Sequence, residues 1–255
     1  MTTSPRTVLL RKEAKEFVRT WRVWVLCGFV LFFAVTSPLL AKLTPDLVNS
    51  LVAGQPGVSI KLPDPTWRDS YAQWIKNLSQ IGMLVVLIVG AGMVAGERAS
   101  GTAVLVLTKP VSRSWFVSAK ALALSLSVLV TVALGTVVVQ VGTLVAFGAA
   151  PADVLWESGA LWFVSALVLI AMMTLLSTAL STLAAAGCGI GVYLVVSALT
   201  MLRPVAQYSF VGLFSAPSAL AAGDAPPLVW PLVTAVAAVV VLVGAAALVF
   251  RRAEL

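Results

Sequence analysis

Four charged side chains lie close together between two long uncharged runs of the sequence. They are Glu97, Arg98, Lys109 and Arg113. The apolar run AVLVL lies among them and is too short to cross a membrane. It can form a short strand, or a short helix that ends before Pro110. An apolar surface bordered by charges has to be covered in water, so the stretch either folds onto lipid headgroups or docks a partner.

Other reactive chemistry is sparse. The chain has no histidine, which excludes HExxH metal sites and Ser–His pairs. No lysine follows a glycine, so the phosphate-binding loop of ATPases is missing. The predicted spans hold no Asp or Glu in their interiors, whereas proton relays and ion-coupled carriers normally need such acids. We therefore expect no catalytic residue, no metal site and no cofactor bound by this chain.

A milder set of polar side chains lies inside the apolar runs. The set consists of Gln140, Thr174, Ser177 and Ser181, of which the last three share one helical face. Such residues form hydrogen bonds between neighbouring membrane helices, or they line a substrate route. Packing is the favoured interpretation, and the pathway-lining interpretation stays open.

The composition determines which elements must position these residues. Of the 255 residues, 60% are hydrophobic and 11% are charged, and the mean hydropathy is +1.03. This predicts an all-α integral membrane protein. We expect a cytoplasmic amphipathic interfacial helix over residues 1–20 and one transmembrane domain over 21–255. Spans are predicted at about 21–41, 78–96, 116–148, 161–181, 185–202 and 228–250, with outer loops at 42–77 and 203–227.

Two further expectations concern the elements themselves. The uncharged run 161–202 is too long for one span, and we divide it near residues 181–186. In the first outer loop, Thr66 and Asp69 can cap a short helix over 66–78. That outer helix could anchor in the outer leaflet, dock a partner or gate an exit.

The distribution of charge predicts the orientation. With six spans, the termini and the Gly96–Phe116 stretch lie on a side with twelve cations and four acids, a net charge of +8. The other side has five cations and six acids. Positive charge marks the cytoplasmic side, so both termini are expected there. The cations lie beside apolar runs, which indicates orientation signals and not nucleic-acid binding.

The stretch ERASGTAVLVLTKPVSRSWF resembles the first cytoplasmic loop of ABC-2-type transporter permeases. That family has E-x-x-x-G-T, a hydrophobic run, K-P-V-S-R and an aromatic residue before the next helix. Here Ala103 stands where the family often has leucine. The basic N-terminal segment, the outer loop sequence, the six spans and the Phe-Arg-Arg tail are similar too, so the resemblance covers most of the chain.

The resemblance implies a function and partners. The loop would form a coupling helix seated in a cleft of a separate ABC ATPase subunit, which binds ATP and Mg. The implied contact residues are Glu97, Arg98, Gly101, Thr102, Val104, Leu105, Leu107, Lys109, Pro110 and Arg113. A second permease subunit, identical or related, would complete a route through the bacterial inner membrane for a lipid-like, drug-like or peptide substrate. A non-transporting scaffold and a membrane-embedded enzyme remain alternatives.

Overall fold

The computed structural model describes residues 21–52, 63–102 and 112–252. Within these ranges the chain contains helices and no strand, and six helices are long and apolar enough to cross a membrane. The prediction of an all-α integral membrane protein with six spans is therefore confirmed. The predicted interfacial helix over residues 1–20 lies outside the described residues.

The six spans are span 1, Trp21–Val52; span 2, Trp67–Ala99; span 3, Arg113–Phe147; span 4, Ala152–Ala179; span 5, Thr182–Leu199; and span 6, Val229–Arg252. Short connections join span 3 to span 4 and span 4 to span 5, whereas residues 200–228 form a longer connection between spans 5 and 6. Span 2 is composite: helix Trp67–Asn77, π-helix Leu78–Gly82, helix Met83–Ala91 and the short helix Ala95–Ala99. Two short helices, Arg203–Tyr208 and Ala216–Ala222, and the 3₁₀ turn Phe210–Phe214 join spans 5 and 6.

Spans 1 and 2 are longer than the sequence predicted. Span 1 continues past residue 41 to Val52, with Pro38 and Pro45 inside the helix. The predicted outer helix at 66–78 is the first part of span 2, begun by a capping box in which Thr66 N donates to Asp69 Oδ2 over 2.7 Å. Span 1 packs along the first helix of span 2, Trp67–Asn77. This packing holds both helices in place beyond the predicted boundaries.

Span 4 lies at the centre of the bundle, where it packs against spans 2, 3, 5 and 6. The run 161–202 divides at Leu180 and Ser181: Leu180 is extended, and Ser181 Oγ caps span 5 by accepting a bond from Ala184 N over 3.4 Å.

Neighbouring spans approach closely because glycines leave space between them. A side chain at Gly135 would lie 2.7 Å from the ring of Trp74, which is fully buried.

Because the spans alternate in direction, one end of the bundle gathers the end of span 2, the start of span 3 and the end of span 6. Its described charged residues are Glu97, Arg98, Arg113, Lys120, Arg251 and Arg252. We call this the basic end.

Candidate functional site

The described residues on either side of segment 103–111 form two well-defined helix ends. The short helix Ala95–Ala99 has its C-cap at Ser100 and is followed by Gly101, whose φ of +71° is a left-handed conformation that favours glycine. On the other side, Ser112 is the N-cap of span 3 and its Oγ accepts a hydrogen bond from Trp115 N over 3.2 Å. The segment is thus attached to the spans by defined turns at both ends.

A buried ion pair joins these two helix ends. Lys120 Nζ lies 2.5 Å from Glu97 Oε1, and the side chains are 6% and 14% exposed. The ammonium also lies 5.0 Å from the ring centroid of Phe116, within cation–π range. A buried ion pair lacking one partner leaves an uncompensated charge, so each group requires the other. The pair fixes the end of span 2 against span 3.

Two arginines bind the carbonyl ends of other spans. Arg98 Nη1 donates to Thr178 O in the last turn of span 4, over 2.5 Å. Arg113 Nη1 donates to Arg251 O in the last turn of span 6, over 3.2 Å. Cations are favoured at these positions because the terminal carbonyls carry the negative end of the helix dipole. Both flanks of segment 103–111 are therefore tied to the basic end.

An aromatic stack completes the cluster. The rings of Phe116 and Phe250 lie 5.4 Å apart at 15°, and both side chains are fully buried. The stack packs the first turn of span 3 against the last turn of span 6. The end of span 2, the start of span 3 and the ends of spans 4 and 6 consequently form one contiguous cluster.

The predicted contact residues fall into three groups. Gly101 and Thr102 are exposed, while the side chains of Glu97, Arg98 and Arg113 are bonded within the chain. The rest of the predicted set lies in segment 103–111, outside the described residues: Val104, Leu105, Leu107, Lys109 and Pro110. Contact of all ten with an ATPase subunit stays a prediction.

The four candidate pathway residues do not come together. Gln140 is half-buried near the end opposite the basic end, and its Oε1 accepts a bond from Trp156 Nε1 over 3.0 Å. Ser181 is exposed at the basic end. Thr174 and Ser177 are fully buried, and both hydroxyls are bonded to backbone carbonyls within the chain. In this conformation only Gln140 and Ser181 reach the surface of the chain.

Lys120 is a site residue that was not predicted from the sequence. The available signal was a lysine just inside an apolar span, since an ionisable side chain there normally has a partner. Its partner lies 23 residues earlier, across the segment 103–111, and spacing alone could not identify it. Among the described residues, no three His, Cys, Asp or Glu side chains are grouped to hold a metal ion.

Comparison with known families identifies the fold. The family described as ABC-2 family transporter protein matches residues 7–255, nearly the whole chain. No curated protein matches the sequence. The matched range includes all six spans and the cluster at the basic end. The chain therefore belongs to the ABC-2 transporter family, as the permease component of an ABC transporter and a multi-pass membrane protein.

Proposed function

We propose that this chain is the permease subunit of an ABC exporter and that segment 103–111 is its docking site for a separate ATPase subunit. ATP and Mg are bound by that ATPase and not by the permease. The basic end lies in the cytoplasm, where the positive charge of the chain favours it. The compartment is the bacterial inner membrane.

The way in which segment 103–111 is anchored carries the proposal. Its flanks bind three other spans: Glu97 pairs with Lys120 in span 3, Arg98 with Thr178 in span 4 and Arg113 with Arg251 in span 6. A loop that only rested on headgroups would need no such anchoring. A partner that moved this segment would instead displace several spans together.

A second permease subunit is proposed to pack against span 5. In the single chain this span is largely exposed, and the glycine pair Gly187 and Gly191 has no atom of the described residues within 4 Å of its missing side chains. Paired glycines four residues apart allow two helices to approach closely in a membrane. Gly189, between them, instead faces Met173 of span 4. The span thus has one face for its own bundle and another for a neighbour.

The cargo route is proposed to run between the two permease subunits. Gln140 and Ser181 remain candidates for its lining because their side chains reach the surface of the chain. The spans contain mild polar groups, and the described ion pair within them is internally compensated. Such a surface suits a lipid-like, drug-like or peptide cargo.

The proposal is tested by replacing segment 103–111 with a nine-residue Gly-Ser linker. The tagged permease is purified from its host in mild detergent, and its partners are identified by mass spectrometry. We expect the native chain to bring down an ATPase with a phosphate-binding loop, and the linker variant to lose it. The matched control replaces residues 53–61, nine residues between spans 1 and 2 in the sequence, and should retain the ATPase.

Two outcomes would contradict the proposal. Retention of the ATPase by the 103–111 variant would place the docking site elsewhere. Purification of the native chain without any ATPase would favour the scaffold alternative.

A further inference from the structure

Span 2 is interrupted close to the basic end, and a side chain from span 4 fills the interruption. Its helix stops at Ala91 and restarts at Ala95. In a continuous helix Ala95 N would donate to Ala91 O. Here Ser177 Oγ lies between them: it donates to Ala91 O over 2.8 Å and accepts from Ala95 N over 3.0 Å. A side chain inserted in the helical ladder is a recognised cause of a kink.

The same hydroxyl serves a third backbone group. Val94 N donates to Ser177 Oγ over 3.0 Å. A serine hydroxyl offers one donor and two acceptor positions, and all three are used. Ser177 is fully buried, so water does not compete for these bonds. Backbone groups freed by a break at membrane depth have to find partners inside the protein, and here one side chain supplies them.

Neighbouring positions on span 4 contact span 2 within the break and after it. Within it, Thr174 Oγ1 lies 3.9 Å from Met93 Sδ; after it, Thr178 O accepts from Arg98 Nη1. The two spans are in close contact here, since a side chain at Gly90 would lie 3.0 Å from Met173 Cβ. Thr174, Ser177 and Thr178 of span 4 therefore hold the interrupted part of span 2 in place.

The short helix beyond the break is held between two spans. Ser177 and Thr178 of span 4 bind its backbone and its arginine, and Lys120 of span 3 binds Glu97. This helix leads directly into segment 103–111. We propose that Ser177 is a positioning residue, which keeps span 2 kinked and sets the angle at which the helix Ala95–Ala99 meets spans 3 and 4.

A consequence for transmission rests on the proposed function. When an ATPase subunit moves segment 103–111, the kink lets the short helix push spans 3 and 4 without bending the rest of span 2. Without the hydroxyl, Ala95 N can bond directly to Ala91 O, and the ladder can close into a straight helix. The short helix would then lose its contacts with span 4. Movement of the ATPase subunit would no longer be transmitted to the end of the bundle opposite the basic end.

The first test uses the purified permease alone and measures a distance. Spin labels are attached at Ala99→Cys and Leu183→Cys, both exposed positions at the basic end, after Cys27→Ala and Cys188→Ala. The substitutions Ser177→Thr and Ser177→Val introduce side chains of the same shape, of which only threonine carries a hydroxyl. We expect Ser177→Val to shift the mean distance by at least about 3 Å, the rise of two helical residues. Ser177→Thr should leave the distance unchanged.

Ser165→Ala is the matched control. Ser165 is another fully buried serine of span 4, and its hydroxyl bonds Leu213 O in the connection between spans 5 and 6. Its substitution removes a buried hydroxyl without touching the break, so the label distance should stay as in the parent chain. Equal distances in Ser177→Val and Ser177→Thr would overturn the positioning role, whether both shift or neither does.

The second test uses the complex with its ATPase and needs no cargo. Labels at Leu47→Cys and Met201→Cys report on the end opposite the basic end, and ATP with orthovanadate traps the closed ATPase. We expect the trapped state to change this distance in Ser177→Thr and not in Ser177→Val, although both retain the bound ATPase. A full change in Ser177→Val would overturn the transmission role. If no ATPase binds the parent chain, the proposed function fails, while the first distance measurement still decides the positioning role.

Discussion

Removing the cation of the buried ion pair should destabilise the permease strongly. In Lys120→Met the methionine fills a similar volume, but the Glu97 carboxylate, 14% exposed, loses its partner. Leaving one charge of a buried pair uncompensated typically costs about 3–5 kcal/mol. For a chain of this size each kcal/mol shifts the melting temperature by about 2–4 °C. We therefore expect the melting temperature to fall by about 10 °C.

The double variant Glu97→Leu/Lys120→Met separates charge from packing. Replacing both members of a buried pair by apolar residues is often neutral or stabilising. The double variant should therefore melt within about 4 °C of the native chain, about 1 kcal/mol at this size. The assay is thermal unfolding in detergent, followed by tryptophan fluorescence or by loss of the monodisperse peak in size exclusion. Additive losses of melting temperature in the double variant, or an unchanged melting temperature in Lys120→Met, would show that the two side chains do not stabilise each other as a buried ion pair.

Further predictions concern glycines and a helix cap. Gly135→Ala should destabilise the chain by about 1–3 kcal/mol through overpacking against Trp74, whereas Gly244→Ala, with open space around it, should melt like the native chain. Equal melting of the two variants would contradict the close approach. Gly101→Ala places a side chain at φ +71°, which costs roughly 1–2 kcal/mol of backbone strain. We expect this strain to weaken ATPase binding by about 5- to 30-fold, with the affinity measured by titration of the purified partner. Unaltered affinity would show that this turn does not shape the docking segment. Ser112→Ala removes the N-cap of span 3 and should cost about 1 kcal/mol, seen as faster amide exchange at Trp115. Unchanged exchange there would argue against the cap.

The sequence was sufficient to predict the class of fold and the number of spans. Length and hydropathy define six apolar segments, and the charge asymmetry agrees with an even number. The break within the run 161–202 could be placed only approximately, because an uncharged run gives no hydropathy minimum. Span 1 continues through Pro38 and Pro45, since tertiary packing against neighbouring spans outweighs the local preference of proline.

The site was predicted in part. The charged stretch was recognised from its composition, but its pairing was not, because Glu97 meets Lys120 across a segment whose conformation the sequence does not specify. Thr174, Ser177 and Ser181 were expected to form hydrogen bonds or to line a pathway. The bonds of Ser177 to the backbone of span 2 were not predictable, because the break after Ala91 is not marked by a proline. The serine that bonds the backbone at this break is 86 residues away in the sequence.

Photo-crosslinking in the native membrane can show whether segment 103–111 docks an ATPase subunit. A photoreactive amino acid is introduced at Leu105, and at Leu47 as a control near the opposite end of the bundle. If segment 103–111 docks an ATPase subunit, the Leu105 probe should form a covalent adduct with that subunit and the Leu47 probe should form none. Adducts of the Leu105 probe with lipid alone would contradict ATPase docking and would identify the segment as a headgroup-bound loop.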